Sequence, residues 1–498
     1  MKYIFTPVLV SVLALARNVF ADEGVDSSQL HKRKSTMTRN LTFTACLSLV
    51  VVFLGLRYAP CADAQDSKST IKTLFAFPCN SNTQGCPKGK DPSSLIQGSD
   101  GNFYGTTEFG GVGNQGTIFK LTLAGQLTTL YTFVGSENGA NPTSLVEGND
   151  GFLYGTTGAG GANNQGVVFR LSKTETIQVL HSFCSLTNCA DGNRPFNLVL
   201  GNDGNFYGCT TYSFPGTVFR VTPSGSYTLL HTFNVAVDGP QCIGMTLASD
   251  GNIYGDTVGG FSFPTVLFRL TAAGQVTVVH SWRYSQFPVS PLTQASNANI
   301  CGVLSHLQGV AQSAMFGIGL SGAGYQEIPL FYLFNGPAVR YMTEASDGNF
   351  WGTFGEAIVS FTRGGGLLQQ ISFAGTNGSG PAMLMQASDG TLVGLTNNGG
   401  SDGADPGEIF TVEPALAAPK PLFVSFGPSS GKVGSRILIH GTHFIGAKRV
   451  NFNGVSASFE VLNTGNILAT VPTGASTGPI AVTNAGGSTP SKKNFVVE

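Results

Sequence analysis

The sequence predicts an all-β protein, a seven-bladed β-propeller of four-stranded blades followed by a smaller β-sandwich. Three observations carry that prediction. A strand, an Asp-Gly-type turn and an aromatic-Gly strand recur seven times. The two ends of the repeat region complete one another, and the pattern changes after Lys420. The composition agrees: 67 glycines and only 11% charged residues are the profile of a turn-rich β chain.

The clearest copies read SLIQGSDGNFYGTT (Ser94 to Thr107), SLVEGNDGFLYGTT (Ser144 to Thr157) and NLVLGNDGNFYGCT (Asn197 to Thr210). Drifted copies start at Met245, Leu292, Met342 and Leu384. The turn residues are Asp100, Asp150, Asp203, Asp250, Asp347 and Asp389, with Asn297 in the degenerate fifth copy. A period of about 50 residues is the size of a propeller blade.

Alternation and turn signals divide each copy into four strands. In the first copy they are Ser94 to Gly98, Asn102 to Thr107, Gly116 to Thr122 and Leu127 to Phe133. The third strand recurs as GVVFRLS, GTVFRVT, TVLFRLT and GEIFTV, and the fourth as IQVLHSF, YTLLHTF and VTVVHSW. An extra fourth-type strand, Ile71 to Phe77, precedes the first copy, while the last copy stops after its third strand at Val412. The N-terminal strand therefore completes the last blade and removes the raw edge.

Links between first and second strands, and between third and fourth, are tight hairpins. The second-to-third links and the blade-to-blade links are long, as in Glu108 to Gln115, Pro78 to Ser93 and Cys184 to Phe196. In an up-and-down blade both long classes emerge on one side. One face of the ring is trimmed and the other elaborated, and binding is expected on the elaborated one.

With 27 basic and 28 acidic residues, the chain offers no basic patch for nucleic acid or for a membrane surface. Residues 1–64 read as a signal region. The working signal is expected over 37–64, where Leu41 to Leu56 runs to Ala62-Asp63-Ala64, with 1–36 as an upstream extension. Tandem signals and a retained anchor are the competing readings. Leu41 to Leu56 is short for a membrane span, so no stable span is expected in the mature chain. Export predicts disulfides: Cys79 with Cys86 and Cys184 with Cys189 bracket matching loops, and Cys209 and Cys242 offer a third bridge between neighbouring blades. Cys301 reads as a buried free thiol.

The DGNFYGTT, GG and NQGTIFKLT strings resemble the GloVer tandem repeat of secreted bacterial proteins, over roughly 71–413. That resemblance implies repeat architecture and export, and no catalytic residues. After a Pro/Ala-rich linker at 414–420, expected to act as a semi-rigid spacer, residues 421–498 resemble an IPT/TIG domain, an immunoglobulin-like sandwich. Pro428, Gly431, Gly434, Gly441 with Phe444, Phe452 with Gly454, Pro472, Gly478 and Gly486 carry that resemblance.

No phosphate loop, nucleophile elbow or zinc-protease helix is present, and no cofactor or metal is expected. His181, His231 and His280 recur at one fourth-strand position and read as packing residues. The Asp-Gly turns lack the spaced oxygen ligands of a calcium loop and read as hairpin chemistry. Loops rich in Asn, Gly, Thr and aromatics nominate Phe109, Asn114, Gln115, Asn163, Asn164, Gln165, Arg194 and Tyr212 for binding a glycan or protein surface. The expected function is that of a secreted or cell-surface, monomeric, non-catalytic binding or adhesion protein. The alternative is an extracellular propeller enzyme of glycoside hydrolase or lyase type, with Asp256 and Glu356 as its carboxylates at the ring mouth.

Overall fold

The computed structural model of the protein describes residues 69–79, 85–173, 176–211, 215–259, 262–282, 286–306, 312–330, 339–373, 377–399 and 406–498. The two signal-like segments and Tyr212 lie outside them. All the described residues fall within one compact unit, Ser67–Glu498. Among them there is no α-helix, and only one 3-10 turn at Thr187–Cys189.

Before Pro414 the described residues form seven antiparallel sheets in chain order, six of them four-stranded. The first pairs Lys90–Gln97, Phe103–Phe109, Thr117–Leu121 and Leu127–Thr132. The last is composite: Ser379–Gln386, Leu392–Asn398 and Glu408–Glu413 are joined by Thr70–Ala76, which pairs antiparallel with Glu408–Glu413. The arrangement is propeller-like, and the N-terminal strand closes it. The fifth sheet departs from the rule because Pro288 and Pro291 interrupt its first strand, leaving the short pieces Gln286–Pro288 and Thr293–Gln294.

Each repeated residue has a mechanical reason. The turn aspartate accepts the backbone N–H two residues on and the Tyr hydroxyl four residues on: Tyr104 to Asp100 at 2.8 Å, Tyr154 to Asp150 at 2.7 Å, Tyr207 to Asp203 at 2.8 Å and Tyr254 to Asp250 at 2.9 Å. Trp351 donates to Asp347 in the same way at 3.1 Å. Burial alone would raise the Asp100 carboxyl, but hydrogen bonds from Lys120, Asn102 and Tyr104 hold it far below the usual carboxylate range. The glycine after the aromatic pairs with the third-strand phenylalanine, Gly105 with Phe119 and Gly155 with Phe169, and the ring lies where a Cβ would be.

Neighbouring sheets are joined by a second repeated device. The residue before the turn aspartate donates its backbone N–H to the last side chain of the next sheet's first strand. Ser99 reaches Glu147 at 2.7 Å, Ser249 reaches Gln294 at 2.8 Å and Ser296 reaches Glu344 at 2.5 Å. Ser346 reaches Gln386 at 2.9 Å, and Ser388 reaches across the closure to Gln97 at 2.8 Å. Where the turn has Asn149 or Asn202 instead of Ser, the facing position is Leu200 or Leu247, and this latch is absent.

The C-terminal domain is a sandwich of two sheets. One holds Leu422–Gly427, Arg436–Thr442, Asn466–Thr470 and Phe459–Asn463; the other holds Gly487–Val497, Gly478–Asn484 and Arg449–Phe452 with two short strands. Phe423, Ile437, Ile439, Phe444, Phe452, Ile480 and Phe495 fill its core. Gly441 has no room for a Cβ because the Phe444 ring lies 2.4 Å from that position.

The linker is not a free-standing spacer. Leu416 N–H donates to the Gly390 carbonyl at 3.1 Å, and the Ser346 hydroxyl donates to the Ala417 carbonyl at 2.5 Å. Asn463 Nδ2 then donates to Asn149 Oδ1 at 2.8 Å, at one of the two turns that lack the Ser latch. The C-terminal domain is thereby seated on the trimmed face.

Candidate functional site

The first strands line the ring axis, each running from a long blade-to-blade link towards its Asp-Gly turn. The axial space is divided in two. At the trimmed end a cavity of about 310 Å³ lies between Leu198, Leu200, Met245 and Leu247 of the ring and Leu422, Val424, Thr442 and Asn463 of the C-terminal domain. Nearer the elaborated face a cavity of about 500 Å³ is lined by Ser94, Thr143, Ser144, Asn197, Phe196, Tyr341 and Met342 among others. No charged side chain lines this larger space among the described residues.

Its walls are shaped by a bulge in the first strand of most sheets, between Pro92 and Ser94, Pro142 and Ser144, Phe196 and Leu198, Cys242 and Gly244, and Arg340 and Met342. The extra residues Ser93, Thr143, Asn197, Ile243 and Tyr341 all line the cavity. Asn197 and Tyr341 adopt left-handed backbone angles, φ 48° and 47°. The Asn197 Oδ1 atom is buried without a hydrogen-bond partner among the described residues.

The residues nominated from the loops do other work. Asn114 and Asn164, with φ 54° and 56°, accept the N–H of Gly110 and Gly160 at 3.0 Å and so close their own loops. Asn163 Nδ2 donates to the Phe183 carbonyl at 3.1 Å. The Gln115 and Gln165 carbonyls accept the N–H groups of Asn141 and Arg194 in the next sheet's entry link. Phe109 ends a second strand and is half-buried, and Arg194 is exposed with φ 48°. None of these lines the axial cavity.

The two proposed carboxylates are not brought together. Asp256 lies inside the strand Ile253–Val258 and is fully buried, because that second strand continues two residues past it. Glu356 lies in the tight turn Gly355–Glu356, exposed, and accepts the Gly380 N–H at 2.8 Å. Neither of them lines either axial cavity among the described residues.

The fourth-strand histidines fasten long links. His181 Nε2 lies 3.1 Å from the fully buried Asp191, which also accepts from the Ser185 N–H and hydroxyl and from the Leu186 N–H. His181 stacks on Tyr227 at 3.8 Å. His231 pairs with Asp238 at 2.7 Å in the next sheet. Disulfides Cys79–Cys86 and Cys184–Cys189 close links on the same face, and Cys209–Cys242 joins the third sheet to the fourth. Cys301 is a buried free thiol, raised to about 12 by burial and by Glu344. No metal-ligating cluster occurs among the described residues.

Burial lowers the pKa of His181, His280 and His440, against the opposing pull of Asp191, Glu327 and Asn466 respectively. These imidazoles charge in the unfolded chain as pH falls through about 6.5 but resist charging when folded. Asp191, whose hydrogen bonds outweigh its burial and lower its pKa, acts in the same direction at lower pH. The depressed histidines are therefore expected to cost unfolding free energy from pH 7.5 to pH 5.5, at most about 1.4 kcal/mol per pH unit for each histidine, opposed by the buried Asp256, whose raised pKa acts in the other direction. A pH dependence of stability that His181→Gln leaves unchanged contradicts this assignment.

No curated protein matches the chain in sequence. Solved structures with similar backbones include a streptogramin B lyase (14% identity, TM-score 0.48, covering 69% of this chain and 97% of that one). Another is the extracellular domain of a hybrid two component system from B. thetaiotaomicron (11% identity, TM-score 0.47, covering 86% of this chain and 57% of that one). A third is a fungal alcohol oxidase (11% identity, TM-score 0.47, covering 82% and 98%). The Gloeobacter/Verrucomicrobia repeat model matches residues 91–316, and the IPT/TIG domain model matches residues 421–497. The chain thus carries a Gloeobacter/Verrucomicrobia repeat region over residues 91–316 and an IPT/TIG domain over residues 421–497.

Proposed function

We propose that this is an exported, non-catalytic binding protein whose seven sheets are the blades of one propeller, and that it takes a neutral, hydroxyl-rich ligand, a glycan, at the axial cavity on its elaborated face. The observation that carries the reading is the lining of that cavity: Ser, Thr and Asn side chains interleaved with a larger apolar share of Leu, Ile, Val, Pro and Met residues and the rings of Phe196 and Tyr341, and no charge among the described residues. Hydroxyl and amide groups match sugar hydroxyls, and apolar faces match the C–H surface of a pyranose ring. Export is supported by three disulfides, which persist in oxidising compartments. The seat of the C-terminal domain on the trimmed face leaves the elaborated face as the entrance.

The binding reading is preferred to an enzyme built on Asp256 and Glu356 because neither carboxylate lines the axial cavity. The test is retention of the purified protein on a panel of immobilised neutral polysaccharides, with anionic polysaccharides as comparison. Retention on at least one neutral member, insensitive to salt, is the expected result. Retention on anionic members alone, or on none, overturns the reading.

A further inference from the structure

The seventh copy of the repeat is incomplete at one corner. In the first four copies the turn aspartate is met by the Tyr hydroxyl four residues on, and that Tyr pairs across the sheet with a third-strand cation: Tyr104 with Lys120, Tyr154 with Arg170, Tyr207 with Arg220 and Tyr254 with Arg269. Lys120 itself reaches Asp100 at 2.9 Å. The sixth copy keeps an aromatic donor, Trp351, and the degenerate fifth has Cys301 four residues after Asn297. In the seventh the aspartate remains as Asp389, but the aromatic has become Val393 and its third-strand partner Thr411. Asp389 accepts only the Thr391 N–H, at 2.9 Å, among the described residues. The two large side chains that cover the aspartate elsewhere are replaced by two small ones.

A cavity of about 330 Å³ lies at this corner, between the last sheet and the first. Asp389, Val393 and Thr411 all line it, with Phe103 and Leu123 of the first sheet on the other side. It shares no lining residue with either axial cavity. Its volume is in the lower range for a small-molecule site. The rim charges Lys72 and Glu413 pair with each other at 3.4 Å, which leaves the Asp389 carboxylate as the charge without a counter-ion among the described lining residues.

The other copies show what such a space accepts. The Tyr154 ring stacks on Phe206 of the next sheet at 3.9 Å, and Phe103 is the residue of the first sheet that corresponds to Phe206. The Tyr207 and Tyr254 hydroxyls also lie 3.4 Å and 2.7 Å from the Ala272 and Leu320 carbonyl oxygens, in the third-to-fourth turn of the next sheet, where the first sheet has Leu123. The stacking ring, the carboxylate and the turn residue are all retained at the closure. Only the phenol is not encoded.

We infer that the closure cavity is a second binding site, for a small phenol whose ring stands where the repeat tyrosine would and whose hydroxyl donates to Asp389. The hydroxyl of a phenol is a donor, and an ionised carboxylate is acceptor-only, so the two are matched as Tyr104 and Asp100 are. Phe103 and Leu123 give the ring its apolar contact.

The test is calorimetric titration of the full chain with two probes, p-cresol, which is a free tyrosine side chain, and toluene, which lacks the hydroxyl. p-Cresol is expected to bind at least about tenfold more tightly than toluene, the difference that a hydrogen bond to a charged acceptor makes. Val393→Tyr builds the repeat residue into the site and is expected to abolish p-cresol binding. Asp389→Asn puts in the residue that the fifth copy carries at this turn, where Asn297 accepts the Asn299 N–H at 3.1 Å, so the turn is kept and the charge removed. It is expected to weaken p-cresol by about threefold or more. Absence of p-cresol binding, equal binding of p-cresol and toluene, or a folded Val393→Tyr protein that binds p-cresol as wild type overturns the inference. Should Val393→Tyr fail to fold, Asp389→Asn decides, and an unchanged p-cresol affinity in that variant overturns it.

Discussion

Replacing Gly155 by alanine is expected to destabilise the protein by about 2–4 kcal/mol, a large effect for a single methyl group. The added Cβ would lie 2.4 Å from the Ser144 carbonyl oxygen and 2.5 Å from the Phe169 Cζ. The first contact is with backbone already committed to the sheet, and the second is with a fully buried ring. Neither neighbour can retreat without breaking strand pairing or displacing Phe133, which packs edge-on against Phe169 at 5.6 Å. Gly151, four residues earlier, provides the comparison. It has φ +76° with nothing within 4 Å of a Cβ, so its glycine answers a turn geometry and Gly151→Asn should cost little. Urea denaturation of the two variants separates the causes. Equal, small losses at both sites would contradict the packing argument.

Removing the bridge between the third and fourth sheets with Cys209→Ser and Cys242→Ser is expected to cost about 3–4 kcal/mol, from the 33-residue separation it closes. The repeat suggests a repair. Where the fourth sheet has Cys242, neighbouring sheets have Pro92, Pro142 and Pro195, whose pairing partners are the corresponding threonines Thr107, Thr157 and Thr210. The Pro142 and Pro195 rings pack at 2.5 Å and 2.7 Å from the Cβ positions of Gly116 and Gly166 in the preceding sheet. A Cys209→Thr, Cys242→Pro protein should therefore recover part of the loss under non-reducing conditions and show no response to a reductant at this site. If the serine pair unfolds at the wild-type urea concentration, the bridge contributes nothing and the estimate is wrong.

The repeat is legible in the sequence because its chemistry is local. Asp-Gly turns, the Tyr four residues on and the Gly facing Phe all act within one sheet, so their spacing in sequence is their spacing in space. The closing strand Thr70–Ala76 is legible for a related reason, since a missing fourth strand at one end matches a surplus one at the other. What lies beyond the sequence comes from contacts between sheets. Nothing local marks Ser99 as the partner of Glu147, although Ser recurs wherever the next sheet's first strand ends in Glu or Gln, and Asn149 and Asn202 occur where it ends in Leu. The same gap hides the seat of the C-terminal domain: Asn463 reaches Asn149 across 314 residues. Candidate site residues fare differently. Asn114 and Asn164 look available because loop asparagines usually are, yet each uses its amide oxygen to close its own loop, and Asn163 donates to the Phe183 carbonyl at the end of the fourth strand. Asp256 stands out in the sequence as a carboxylate near a strand end, but its burial and its lack of a partner are properties of packing that only the fold displays.

Recognition in the axial cavity, and not on the loop tips, is tested most directly by calorimetric titration of one retained neutral oligosaccharide into two variants. Ser144→Phe fills the cavity, and Val112→Asp places a charge on an 84% exposed loop tip. Ser144→Phe, still folded by its circular dichroism spectrum, is expected to lose affinity by at least about tenfold, equivalent to about 1.4 kcal/mol, while Val112→Asp binds as wild type. Unchanged binding by Ser144→Phe together with loss in Val112→Asp would contradict the axial site and move recognition to the loops.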